Sequence, residues 1–529
     1  MGIISCIIST CLIKGEYMKK IAKVLILVLM LPIAWMCCAC SQEPVSIKSI
    51  TKTDSVGPVD TYTITYTDDT TSNFTIVNGQ DGANLFNNIT INDLYNQVKD
   101  SKPIGYSLID FIDEYLDIQI DTTAIASSRA LRSAVSVFVE HEVDIVDYNT
   151  VISYTPTPYG PEPNYGVKKS IVWGAGAGVI YSLDKNTGDA YIITNYHVCF
   201  GADVNAIDGI ATRFITYIYG SESIDLNSLM YLQYYNNNCK EYAYLYEQYD
   251  AEGKPVIDYG FGAIEAEYVG GSETYDIAVL KVTGSELLRN SDSIAVETYN
   301  SDEVTAGCSA IAVGNPEAAG ISVTDGVISL DSEYISIKIS DNSIAMREFR
   351  IDTPVNIGNS GGGLFDGFGR LIGIVNARTP DTSEENVGYA IPGNVAIGVA
   401  NSIIKNCDGI ARKTKRIFLG VTLQVVNSRG CYDADTGLMK IKETIEVSKI
   451  EGDSIAQEVG LKKGDKLTSV EIIKPTKTIS VEVNRLFTAI DFLWNAEIGD
   501  CIKFNYIRNG EAGSVTTVAL TEDNFNIVK

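Results

Sequence analysis

The stretch "NIGNSGGG", Asn356 to Gly363, packs glycines around a single serine, Ser360. A glycine-rich segment of this kind makes a turn, and what the turn does depends on the partners the rest of the chain offers Ser360. A serine hydroxyl is a poor nucleophile at neutral pH and needs a base within hydrogen-bond reach. The chain has two histidines, His141 and His197, so an imidazole base must be one of them. His197 closes "ITNYHV", directly after an alternating strand pattern, and "YDIAVLKV" puts Asp276 at the head of an apolar strand. His141 lies inside the strand-like "AVSVFVEHEV" and reads as a structural residue. Each motif alone is weak. Together, in the order His, Asp, Ser, they specify a nucleophile, its base and a carboxylate to orient the base.

Composition narrows the setting. The chain has 529 residues, enough for about three domains. It is 45% hydrophobic and 20% charged, ordinary for a globular protein with real cores. A formal net charge of −26 repels phosphate backbones, which excludes nucleic acid as an expected partner. Of eleven cysteines, five (Cys6, Cys11, Cys37, Cys38 and Cys40) fall in the first forty residues. The other six, from Cys199 to Cys501, form no CxxC pairs and signal neither a zinc site nor a disulfide framework. No metal or cofactor is expected.

The amino terminus is a targeting segment, 1–40. Met18-Lys19-Lys20 opens a basic region, with Met18 a candidate true start, and Val24 to Ala39 is almost wholly apolar. That run is short for a membrane span and contains Pro32, so it reads as a secretory signal. "CCACS" resembles a bacterial lipobox with Cys40 as the lipidated residue, although Cys37 stands where leucine is usual. A plain signal peptide cleaved nearby, or an uncleaved anchor, is the alternative.

Residues 41–128 are expected to be a small stalk. "TYTITYTDDTTSNFTIV" reads as a hairpin around Asp68-Asp69, and 84–127 carries helical spacing. From 129 to 410 the texture is of short strands with Gly and Asn turns, the pattern of an all-β barrel or sandwich. "YTPTPYGPEPNYG" reads as a Pro-rich loop, and the Tyr- and Asn-rich 200–270 as an inserted surface segment able to cover a cleft. Residues 416–522 form a separate unit with a strand, a short capped helix, an amphipathic helix "RLFTAIDFLWNA", and a hairpin at Asn509-Gly510.

The three motifs, with "AVGNPEAAGISVTDGVIS" before the serine and "GYAIP" after it, resemble the HtrA/Deg branch of trypsin-like serine proteases over about 129–522. That resemblance implies a mainly β fold: a chymotrypsin-like double β-barrel followed by an α+β PDZ-like domain. It implies a triad of His197, Asp276 and Ser360, an oxyanion hole at Gly358, Asn359 and Ser360, and a substrate pocket of Pro354, Val355, Ile357, Tyr389, Ala390 and Ile391. No charge lines the pocket, so cleavage after Val, Ala, Ile or Leu is expected rather than after Arg or Lys. In the PDZ-like domain, Leu419, Gly420 and Val421 would receive a peptide carboxylate, and Ile490 and Leu493 would line the groove. The sequence departs from the family at Gly363, where proline is usual, and at Ala177, where serine is common. The expected protein is a lipid-anchored, extracytoplasmic endopeptidase acting on unfolded proteins or peptides, as a possible homotrimer. The rival reading is a peptide-binding scaffold or chaperone on an inactive or latent protease fold.

Overall fold

The computed structural model describes residues 47–56, 59–66, 71–77, 122–201, 207–224, 229–235, 240–246, 258–339, 342–378, 387–407, 414–434 and 436–528. The targeting segment with Cys40, and all but the last six residues of the helical spacing expected over 84–127, lie outside them. Among the described residues no helix is long and apolar enough to cross a membrane.

Strands β1 (Ile47–Val56), β2 (Val59–Tyr66) and β3 (Thr71–Val77) form an antiparallel sheet by themselves. The hairpin expected around Asp68-Asp69 is β2–β3, and β1 adds a third strand to it.

Residues 121–431 and 440–529 make a second compact unit. It opens with helix α1 (Thr122–Leu131), whose Ala126 and Ala130 are buried in the main core. The boundary expected at 129 therefore falls inside a helix that packs on the domain. The first barrel is built from β4 (Ala134–Thr157), β5 (Gly160–Asp184), β6 (Asp189–Thr194), β7 (Arg213–Ile218), β10 (Ile264–Ser272) and β11 (Ile277–Val282). It closes in the order β10-β11-β6-β5-β4-β7. A separate hairpin, β8 (Leu229–Tyr235) with β9 (Lys240–Tyr246), lies between β7 and β10 in the chain. The segment 200–270 is thus not all insertion. "RFITYI" alternates, pairs with both β4 and β10, and is a barrel stave.

The second barrel closes in the order β12-β13-β14-β17-β16-β15, from β12 (Ser309–Gly314), β13 (Ser322–Ile339), β14 (Asn342–Ile351), β15 (Gly363–Phe365), β16 (Leu371–Arg378) and β17 (Gly388–Pro392). Each barrel has its own apolar filling. A third cluster lies between them, where Val179, Ile193 and Ile277 of the first meet Ile311, Phe365 and Ile374 of the second. A fully buried side chain of this size stabilises the fold by about 2 kcal/mol. Helix α3 (Gly393–Asn406) buries Val395, Ala396, Val399, Ala400 and Ile403 against that cluster, one stripe at helical spacing. The Pro-rich stretch expected as a loop is the end of the long β4–β5 hairpin, with Pro156 opposite Pro161. A two-stranded ribbon has free outer edges, so a missing N–H costs little there.

The carboxy-terminal part is α+β. Strand β18 (Thr414–Ile417) pairs with β25 (Phe525–Val528). A second sheet runs β19 (Val421–Asp433), β20 (Leu438–Ile450), β21 (Lys466–Ile473), β23 (Cys501–Arg508), β24 (Glu511–Thr516), with β22 (Thr478–Glu482) on β21. Helix α4 (Leu486–Phe492) closes it. The β23–β24 turn has Asn509 and Gly510 both at positive φ, 53° and 85°, as the sequence demands of a tight hairpin.

Candidate active site

The site lies where the two barrels meet. Strand β6 ends at Thr194, and the short helix α2 (Tyr196–Cys199) carries His197. Asn195, fully buried, sits at the N-cap of α2 but does not cap it. Its side chain donates instead to the Asp276 carbonyl at 2.8 Å. Asp276 stands at the head of β11, completely buried, with φ at +48°. A non-glycine residue in that region costs about 1 kcal/mol or more. Its carboxylate accepts twice from His197: from the main-chain N–H at 2.9 Å and from ring Nδ1 at 2.6 Å. A carboxylate only accepts, so Nδ1 carries the proton and Nε2 keeps its lone pair. Burial works against the charged imidazolium, but the charge and hydrogen bond of Asp276 outweigh it and raise the His197 pKa above the ordinary 6.5.

Ser360 heads the turn between Asn356 and β15. Its carbonyl accepts from Ala177 N on β5 at 2.9 Å, and the next amide, Gly361 N, donates to Val375 O at 2.9 Å. The loop is thereby tied to both barrels. The Ser360 hydroxyl donates to the main-chain carbonyl of Asn376 at 3.0 Å. Gly358 has φ +98°, and a Cβ there would come within 2.1 Å of Asn315 O. The preceding loop wraps it closely, with Asn315 N donating to Gly358 O and Glu317 N to Ile357 O. The amides of Gly358 and Ser360 have no acceptor among the described residues.

Asn359 is a correction. Its amide donates to Asn356 O at 3.0 Å, closing the turn, so it is not a free donor. The expected pocket is corrected in part. Val355 reaches β17, because a Cβ on Gly388 would fall 2.8 Å from Val355 Cγ2. Tyr389 is 5% exposed beside it. Ala390 and Ile391 face the barrel core and the inter-barrel cluster respectively, while Pro354 and Ile357 stand on the surface. Three consecutive strand residues cannot share one wall, since side chains alternate.

Gly363, where the resembled family has proline, is tightly packed. It is buried in β15, and a Cβ there would meet the Phe365 ring at 2.4 Å, so the ring fills the space a proline would need. Sequence reasoning missed Asn195, Asn315 and Asn376, all buried. The available signal was an Asn in a wholly apolar strand, "LIGIVNA". Among the described residues no cluster of His, Cys, Asp or Glu could hold a metal ion.

In the carboxy-terminal part a groove of about 650 Å³ is lined by Leu419, Gly420 and Val421 on one side and by Ile490 and Leu493 of the α4 region on the other. Tyr275, next to Asp276, reaches the same groove, where Arg416 donates to its hydroxyl.

Residues 176–374 match the trypsin-like peptidase domain. Over and beyond that domain the chain is similar to serine proteases of the HtrA type. The serine protease Do-like HtrA of Lactococcus lactis subsp. lactis (strain IL1403) is 27% identical over 351 residues, 64% of this chain and 69% of that one. That of Lactobacillus helveticus is 26% identical over 349 residues, 64% of this chain and 67% of its own. A solved structure titled HtrA-type protease AlgW with decapeptide covers 77% of this chain and 99% of its own, at 22% identity and a TM-score of 0.40. The chain is a serine endopeptidase by these relationships.

Proposed function

We propose that His197, Asp276 and Ser360 are the catalytic triad of an endopeptidase that cuts unfolded proteins and peptides outside the cytoplasm. One observation carries this: the His197–Asp276 pair, doubly bonded at 2.6 and 2.9 Å, lies at the same barrel junction as a serine loop with two unengaged amides. In the reaction His197 Nε2 takes the Ser360 proton as Oγ attacks the scissile carbonyl. The oxyanion forms between the amides of Gly358 and Ser360, each worth about 3–4 kcal/mol in the transition state. The imidazolium, held by Asp276, returns the proton to the leaving amine, and water then hydrolyses the acyl-enzyme by the same route.

The Val355–Gly388 contact and Tyr389 leave an uncharged wall for the residue before the cut. A substrate ammonium buried there would go unpaired, so an aliphatic residue is favoured. Digestion of reduced casein, with the cut sites mapped by mass spectrometry, is expected to give Val, Ala, Ile or Leu before the cut. Dominant Arg or Lys, abolished by Ser360→Ala, would refute this pocket.

The carboxy-terminal unit reads as a PDZ-like domain that takes a peptide carboxylate at Leu419, Gly420 and Val421. Cys40 reads as a lipid anchor, tested by fatty-acid label that enters the wild type but not Cys40→Ala. A homotrimer fits the family resemblance, and analytical ultracentrifugation tests it. A second reading, a latent protease serving as a peptide scaffold, draws on one observation: the Ser360 hydroxyl rests on Asn376 O and not on His197.

A further inference from the structure

We propose that Glu348 is a positioning residue of this site: as the neutral acid it forms a reciprocal pair with the Asn376 side chain and so fixes the carbonyl on which the Ser360 hydroxyl rests. The proposal builds on the triad reading above.

Glu348 lies on β14 and is fully buried. Its Oε1 accepts from Asn376 Nδ2 at 3.0 Å, and Met346 Sδ lies 3.4 Å from the same nitrogen. Two acceptors beside that bond, Glu348 Oε2 and Asn376 Oδ1, are buried with no partner among the described residues. A carboxylate cannot satisfy either, because it brings no proton. One proton on Oε2 satisfies both, since an acid and a carboxamide each present one donor and one acceptor on neighbouring atoms. Two buried acceptors left unpaired would each lose their hydration with nothing in return.

The charged groups around Glu348 point the same way. Arg347, its neighbour in the strand, commits its guanidinium elsewhere, to Asp491 and to the Asp331 carbonyl. Glu333 is its cross-strand partner on β13, and Asp276 adds a second negative charge from the other barrel. Burial first, then Asp276, push the Glu348 acid well above the usual carboxylate range, against the pull of Asn376 and Arg347.

The pair matters because of where Asn376 sits. The β16–β17 register shifts between Val375 and Ala377, which leaves Asn376 without a cross-strand partner at a bulge. Its neighbours Val375 and Ala377 stay in the ladder, and the side-chain bond adds a hold on Asn376 itself at the bulge. The Asn376 carbonyl accepts the hydrogen bond of the Ser360 hydroxyl at 3.0 Å. Ionising Glu348 would break the pair, free Asn376 and add a second negative charge to that of Asp276. Activity should then fall at alkaline pH.

The test uses full-length protein, Glu348→Gln and Glu348→Leu. Gln can still make the reciprocal pair, whereas Leu cannot. Infrared difference spectra of wild type against Glu348→Gln should show one protonated carboxyl band that the variant lacks. Fluorophosphonate labelling of Ser360 should fall roughly tenfold in Glu348→Leu, the size of one hydrogen bond. Glu348→Gln should recover most of that rate and lose the alkaline fall. An absent band overturns the proposal, as does Glu348→Leu labelling like the wild type. If Glu348→Leu fails to fold, a Glu348→Gln profile that keeps the alkaline fall overturns it. If the wild type takes no label, the triad reading fails, and the infrared band alone decides for or against the neutral pair.

Discussion

At the scale of single residues, the two histidines have opposite surroundings. His197 is held by a carboxylate and titrates above its ordinary value. His141, 6% exposed on β4, has no partner at Nδ1 among the described residues, and burial pushes its pKa down to about 4. The folded protein therefore excludes a proton that the unfolded chain accepts at about 6.5. Its stabilising effect is complete above pH 6.5 and is lost as pH falls from 6.5 towards 4, up to about 3 kcal/mol. Thermal melts of wild type and His141→Gln across that window should show the wild type losing more stability on acidification. Parallel curves would mean that His141 is solvated in the folded state. His197, Asp276 and Ser360 stand out in the sequence because each carries a local backbone signal: a strand end, a strand start and a glycine turn. The residues that hold them were not. Asn195 gives up the cap of α2 for the Asp276 carbonyl, a bond between positions 81 apart that no local pattern announces.

At the scale of elements, the Ser360 loop shows which departures from a family pattern are compensated. Gly363 pairs with Val313 on β12 and Ile374 on β16, and the Phe365 ring lies over it. Restoring proline should thus cost stability, on the order of 1–3 kcal/mol for an overpacked core position. Urea unfolding of Gly363→Pro should show that loss, and the double variant Gly363→Pro/Phe365→Leu should regain part of it. A Gly363→Pro protein as stable as the wild type would remove the steric account. Strand alternation also explains the pocket. "YAI" was read as one wall, but the period of two sends Ala390 into the barrel and Tyr389 to the other face. The staves of the first barrel were partly hidden, because β7 lies in a Tyr- and Asn-rich segment whose composition looks like a loop.

At the scale of the whole molecule, α4 of the carboxy-terminal part is fastened to the second barrel by buried ion pairs. Arg347 on β14 bonds Asp491, Arg485 bonds Asp331 on β13, and the Phe487 ring lies within reach of both guanidinium groups. Arg347→Ala would leave Asp491 buried without its cation, a loss of roughly 3–5 kcal/mol. Calorimetry should then resolve two transitions, or one at clearly lower temperature. An unchanged single transition would show that the pair does not couple the two parts. Nothing in the sequence foretold this contact, since Asp331, Arg347, Arg485 and Asp491 sit on three separate elements and read as ordinary surface charges. The most direct test of the account as a whole is labelling of the purified full-length protein with a fluorophosphonate probe, mapped by mass spectrometry. The account predicts a single adduct on Ser360, strongly slowed in His197→Ala and absent in Ser360→Ala. A folded wild type that refuses the probe, or an adduct on another residue that survives Ser360→Ala, would contradict it.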